Sequence, residues 1–166
     1  MKYRLYKSCF CNKQAINNEI KQFRPSLTNG MFLCGEKPSL KTGLVRFYFW
    51  LLSRGRVNIF YVQTDKGEIL HMSYVLPRCF KFPFMKKRDY EIGPCYTVEH
   101  ARGQGLYPKT LSHIVGSKQY GERCFWMLVK ESNVASIRGV EKSGFVFVGY
   151  VEKTRIMKRY LKVEEN

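Results

Sequence analysis

The stretch Glu91 to Tyr107, EIGPCYTVEHARGQGLY, constrains the fold more than any other part of the chain. Tyr90, Ile92, Cys95, Tyr96 and Val98 favour an extended strand, and Gly93-Pro94 predicts a local distortion within it. Arg102, Gly103, Gln104 and Gly105 then form a tight turn, and Pro108 stands where a first helical residue belongs. A glycine-rich turn between strand and helix presents unpaired backbone N–H groups at the positive end of a helix dipole, which suits a phosphate. Gly103 and Gly105 have no Cβ to hold a ligand away from the backbone. Taken alone, the same residues are equally an ordinary surface turn.

A second stretch downstream, NVASIRGVEKSGF, contributes Asn133, Ser136, Glu141, Lys142, Gly144 and Phe145. Together the two segments resemble the GNAT superfamily, acyltransferases that use acetyl-CoA. The family's loop pattern is Arg or Gln, two residues, Gly, one residue, then Gly or Ala. Here it reads Arg102, Gly105 and Tyr107, so a tyrosine replaces the last small residue. The resemblance covers roughly Tyr90 to Tyr160, and two motifs in order with a helix and strand between them make it fairly specific.

The resemblance implies a single GNAT-like acyltransferase domain over 1–166, with 1–89 as the acceptor-side half and 90–166 as the acetyl-CoA-binding half. Its fold class would be α/β (mixed α+β): a central mixed, mostly antiparallel sheet flanked by helices, with a splayed strand pair forming the CoA cleft. It further implies that backbone groups of Tyr96, Thr97 and Val98 lie along the pantetheine and acetyl group. The loop Arg102, Gly103, Gln104, Gly105, Leu106 and Tyr107 would hold the pyrophosphate, and Asn133 would touch the cofactor. The family often has a tyrosine before the Glu-Lys pair as acid toward the leaving thiolate. Val140 stands there and has no proton to give.

At 166 residues the chain suffices for one domain with a sizeable core, and 45% hydrophobic with 15% aromatic residues argues against disorder. MKYRLYKSCF lacks the apolar core of an export signal, and Leu44 to Leu52 is too short and too charged to span a bilayer. A cytoplasmic protein without a membrane span is the expectation. The cysteines Cys9, Cys11, Cys34, Cys79, Cys95 and Cys124 show no zinc spacing, so no metal is expected. Reduced thiols follow from the same compartment, with Cys95 and Cys124 as small core residues in strands. A net charge of +16, from 29 Lys and Arg against 13 Asp and Glu, attracts anions by steering. No nucleic-acid motif accompanies the charge.

In chain order, Lys2 to Tyr6 predicts a strand, and Asn12 to Phe23 a helix with Ala15, Ile16, Ile20 and Phe23 near one face. Pro25 to Lys37 reads as a long, substrate-side loop. Ser39 can cap a helix from Leu40 to Arg54 that buries Phe47, Trp50 and Leu51. Val57 to Gln63 and Glu68 to Leu76 flank Asp65-Lys66-Gly67 as a hairpin, with Leu70, Met72, Tyr74 and Leu76 on one face and His71 and Ser73 on the other. The basic connection Arg78 to Arg88 leads to the glycine-loop strand. A helix over Tyr107 to Ser117, a strand over Cys124 to Val129, a helix over Asn133 to Ser143 and a hairpin over Phe145 to Leu161 complete the chain.

The reaction implied is direct attack of an amine on a thioester, helped by positioning and by removal of a proton. His71, Glu91, Glu99 and His100 are the candidate bases. His71 leads because its ordinary pKa lies near neutrality, with a hydrogen-bonded strand histidine as the plain alternative. Glu91 is the rival, with a solvated strand-end residue as its plain alternative; Tyr96 and Tyr107 are the hydroxyls considered as acid, each more simply a packing tyrosine, and the catalytic set is His71, Glu91 and Tyr96. The acceptor implied is a small-molecule primary amine. IGPCYT followed by RGQGLYP is similar to GNAT-like proteins of bacterial surface-polysaccharide biosynthesis, which suggests an amino sugar or an anionic nucleotide-linked one. A catalytically inactive CoA-binding module and a basic nucleic-acid-binding protein are the other function classes.

Overall fold

The computed structural model describes residues 2–9, 19–25, 51, 56–79, 81–155 and 158–163. Among these, eight strands form one sheet: β1 Lys2–Cys9, β2 Ile20–Phe23, β3 Asn58–Gln63, β4 Ile69–Pro77, β5 Tyr90–Thr97, β6 Cys124–Lys130, β7 Val146–Lys153 and β8 Tyr160–Val163. Their order is β2-β3-β4-β5-β6-β1-β7-β8, with β5 and β6 parallel and the other neighbours antiparallel. Helix α1, Leu106–Val115, follows the glycine turn, and α2, Val134–Lys142, connects β6 to β7. The mixed α/β architecture is the expected one.

The periodicities account for most elements. The β3–β4 hairpin closes through Asp65-Lys66-Gly67, where Gly67 takes a φ of +84° and its amide donates to the Thr64 carbonyl at 2.9 Å. In β4 the alternation serves two cores. Val75 faces α1 with Phe60, Ile92, Leu111 and Ile114. Met72 and Tyr74 face the other way, with Val57 and Ile59. Leu5, Phe82, Met85, Trp126 and Val151 build a further core, to which the connection after β4 contributes Phe82 and Met85.

The distortion at Gly93-Pro94 is a β-bulge. Ser73 pairs with Cys95 and Val75 with Ile92, so Gly93 and Pro94 together oppose Tyr74. On its other side β5 pairs with β6 only at Tyr90↔Phe125 and Glu91↔Trp126, after which the two strands part. The splayed pair is therefore present.

Three expectations change. Ile20–Phe23 is a strand paired with β3, not the end of a helix. Ile20 and Phe23 sit three apart, which mimics a helical stripe, yet they enter different cores on opposite sheet faces. Leu51, expected inside, is 56% exposed; Phe47, Trp50 and most of that helix lie outside the described residues, as does 12–18. Cys9 and Cys124 are joined in a disulfide, where reduced thiols were expected. They face each other in register across β1 and β6 although 115 residues separate them, a proximity that sequence spacing does not reveal.

Candidate active site

The glycine turn is held from both sides. Val98 N–H donates to the Leu70 carbonyl at 3.0 Å, and its own carbonyl accepts from Ala101 N–H at 3.1 Å. The short 3-10 turn Glu99–Ala101 follows, and the Arg102 guanidinium reaches back to the Thr97 carbonyl at 3.4 Å. Gln104 Nε2 donates to the His100 carbonyl at 3.2 Å. Gly103 and Gly105 adopt φ values of +78° and +75°, a left-handed region that costs an ordinary L-residue about 1–2 kcal/mol. A Cβ on Gly103 would meet nothing within 4 Å, so backbone conformation, not crowding, selects glycine there. Gly105 is the cap of α1, which makes Leu106 the first helical residue and moves Pro108 from the expected first position to the third. The leading amides of α1 have no acceptor within the helix. With Arg102 beside them they fit a diphosphate.

Behind the turn lies a chain of polar side chains. His71 is 1% exposed; its Nδ1 lies 2.7 Å from Thr97 Oγ1 and its Nε2 2.9 Å from Ser73 Oγ. The Cys95 thiol hydrogen-bonds to the Ser73 and Tyr107 hydroxyls. Burial lowers the His71 pKa to about 4 and pushes the Cys95 thiol up to about 12. Tyr107 is raised as well, first by burial and then by Cys95. All of these groups are thus neutral near pH 7.

Tyr107 fills the space its size demands because α2 offers a glycine opposite. A Cβ at Gly139 would stand 2.6 Å from Tyr107 Cδ1 and 2.9 Å from Cε1. Gly139→Ala is expected to destabilise the fold by about 1–3 kcal/mol through overpacking. Thermal melts check this, and adding Tyr107→Ala should remove most of the increment that Gly139→Ala alone produces.

Glu91 and Tyr96 lie on the opposite sheet face from His71. The register pairs Glu91 with Leu76 and Tyr96 with Met72, whereas His71 pairs with Thr97 and Ser73 with Cys95. Burial pushes the Glu91 carboxyl up to about 8, partly offset by the charge of Lys81. Its field also reaches Cys79 and Tyr160. Tyr96 is 49% exposed. Glu99 and His100 stand on the exposed 3-10 turn, where His100 Nε2 is 3.4 Å from Glu68 Oε1. The candidate catalytic residues therefore divide between two faces.

In the second motif Asn133 caps α2, its Oδ1 accepting from Ser136 N–H at 3.1 Å. Glu141 Oε1 accepts from the Tyr6 hydroxyl at 2.9 Å, tying α2 to β1. Val140 is fully buried in the helix-side core. Val140→Tyr would overfill that core, at about 1–3 kcal/mol, before it could supply an acid; a lowered denaturant midpoint would record it. Sequence reading paired Ser73 with His71 but missed Cys95 beside Ser73 and Lys81 beside Glu91. Alternation places Ser73 with His71, but nothing local marks Cys95 or Lys81.

No family model matches the chain, and no curated protein matches it. Solved structures do. A GNAT-family protein of Novosphingobium aromaticivorans matches at a TM-score of 0.57 and 16% identity, over 90% of this chain and 62% of its own. A GNAT-family acetyltransferase of Colwellia psychrerythraea matches at 0.56 and 17%, over 90% and 55%. A GCN5-related N-acetyltransferase of Sphaerobacter thermophilus matches at 0.55 and 16%, over 89% and 49%. The chain has the fold of these proteins and spans about half to three-fifths of their length. Among the described residues no helix is long and apolar enough to cross a membrane, and no three His, Cys, Asp or Glu side chains gather as metal ligands would.

Proposed function

We propose that the chain transfers an acetyl group from acetyl-CoA to a primary amine, with Glu91 as the base. The observation that carries this is the parting of β5 from β6 immediately after Glu91, in a strand that ends at the glycine turn. One strand thus presents a diphosphate cradle, an unpaired edge for the pantetheine and an ionisable carboxyl. Acetyl-CoA brings the thioester; the chain's own residues position it and handle protons.

Glu91 takes the amine proton as the amine nitrogen joins the carbonyl carbon. A carboxyl titrating near 8 is much closer to an amine in proton affinity than an ordinary glutamate. His71 suits the role less well. Both its ring nitrogens are engaged by hydroxyls, and it lies on the far face. Tyr96, exposed on the Glu91 face, is the hydroxyl assigned to the departing sulfur in place of Val140. Asn133 serves α2 as a cap, and its contact with the cofactor belongs to the same proposal.

For the acceptor, the proposal is a small anionic amine, with an amino sugar on a nucleotide as the leading class and surface-polysaccharide synthesis as its setting. Arg78, Lys86, Lys87 and Arg88 lie in the connection that enters β5 just before Glu91, and the whole chain carries +16. A cytoplasmic location, where acetyl-CoA is supplied, belongs to the same proposal.

Calorimetry with CoA and acetyl-CoA, followed by a panel of nucleotide-linked amino sugars, free amino sugars, peptides and polyamines, tests it. Binding with turnover on an anionic amine is expected. Binding without turnover on any amine makes the chain an inactive CoA module. Salt-dependent duplex binding without CoA affinity makes it a nucleic-acid binder.

A further inference from the structure

We infer that His71, Ser73, Cys95 and Tyr107 are positioning residues that strap together the two stems of the glycine turn. This inference rests on the reading of that turn as the CoA diphosphate site. The turn leaves β5 at Thr97 and enters α1 at Leu106–Tyr107. Thr97 Oγ1 is bonded to His71 Nδ1, His71 Nε2 to Ser73 Oγ, and the Cys95 thiol to both the Ser73 and Tyr107 hydroxyls. Hydrogen bonds thus run from the last residue of the strand through His71 to Ser73 on β4; Ser73 stands in register opposite Cys95, whose thiol is coupled to the hydroxyl of Tyr107, the second residue of the helix.

Several observations assign it a mechanical role. The path is closed to solvent at its centre, where His71 is 1% and Ser73 0% exposed. Its side chains and that of Glu91 stand on opposite faces of the sheet. The Arg102 guanidinium leans on the carbonyl of Thr97, so the strap also fixes the residue that carries the turn's cation. Tyr107 is held from behind by the close approach of Gly139 and lies 5.8 Å, ring to ring, from His71. A tyrosine in place of a small residue, a glycine on the facing helix and a histidine on the neighbouring strand form one matched set. In a preorganised turn the amides need no reordering when the diphosphate arrives. Buried polar chains hold geometry well only when every member is satisfied.

Tyr107→Phe removes one hydroxyl and keeps the ring against Gly139, and His71→Phe removes both imidazole bonds. Each is expected to raise the KM for acetyl-CoA about tenfold while changing kcat at saturation less than about threefold. Glu91→Gln should do the reverse. His71→Gln, whose amide reaches toward Ser73, should recover part of the KM. In the ligand-free protein, amide exchange across 102–107 should quicken at least about tenfold in Tyr107→Phe and His71→Phe, and stay as in wild type in Glu91→Gln. Unchanged exchange and unchanged KM in folded Tyr107→Phe overturn the strap. If His71→Phe does not fold, Tyr107→Phe decides alone. Faster exchange in a protein whose wild type binds no CoA upholds the strap and removes the cofactor reading instead.

Discussion

Glu91→Gln is expected to lower turnover by about two to four orders of magnitude, the span of a lost general base. The substitution keeps shape and polarity and deletes only the ionisation. Because burial lifts the Glu91 carboxyl to about 8, the carboxylate that would serve as base is a minor form at neutral pH. kcat/KM in wild type should therefore climb with pH through about 8 and level off above it. Glu91→Gln should keep only the limb set by the amine's own ionisation. Lys81 lowers the Glu91 pKa, so Lys81→Met should move the limb to higher pH without abolishing it. A pH–rate profile of the three proteins on one accepted amine is the measurement. A Glu91→Gln protein that retains near-normal turnover along the whole profile excludes Glu91 as the base.

The same shift has a consequence for stability, with a definite sign. The folded state holds the Glu91 proton up to about 8, whereas an ordinary glutamate releases it near 4.5. Between those values the folded protein binds more protons than the unfolded one, so wild type loses stability as pH rises across that window. Below it the contribution is fully present. Glu91→Gln should escape the loss and gain on wild type as pH rises to 8. Gain of stability with loss of turnover is what a site residue held in an unfavourable environment produces.

Gly105→Glu is expected to weaken acetyl-CoA binding by about a hundredfold or more while leaving a folded protein. Gly105 is the left-handed cap of α1 at a φ of +75°, so any side chain adds about 1–2 kcal/mol of backbone strain. The carboxylate adds a larger effect, since it brings negative charge to the turn that would hold a diphosphate and competes for the leading amides of α1. Gly105→Ala separates the two, because it carries the strain without the charge. The charge part should shrink as salt rises, as repulsion between exposed groups does. Calorimetry with CoA at two ionic strengths and circular dichroism of each variant measure this. Unchanged affinity in a folded Gly105→Glu protein would falsify the diphosphate assignment.

Much of the scaffold is legible because local rules write it. Two apolar alternations around Asp65-Lys66-Gly67 give the β3–β4 hairpin, and Asn133 with Ser136 gives the start of α2. Gly93-Pro94 announces a bulge, and Gly103 with Gly105 a turn that only glycine adopts without strain. Each of these depends on residues within a few positions of one another.

What the sequence does not settle is decided by pairings between distant segments. β1 is inserted between β6 and β7, which brings Cys9 opposite Cys124 and the Tyr6 hydroxyl to Glu141. Ile20–Phe23 becomes a strand because β3 offers it a hydrogen-bonding edge, whatever its helical spacing suggests. The assignment of a base turns on the same physics. In a strand, one residue of register moves every side chain to the other face, and the bulge at Gly93-Pro94 puts two residues opposite one where β5 meets β4. By sequence His71 has the pKa a base needs and Glu91 does not. Tertiary burial reverses the two, because withdrawing water disfavours the charged form of each: the imidazole falls to about 4 and the carboxyl rises to about 8. The residue types fix which groups can titrate, and the packed protein around them fixes at what pH they do.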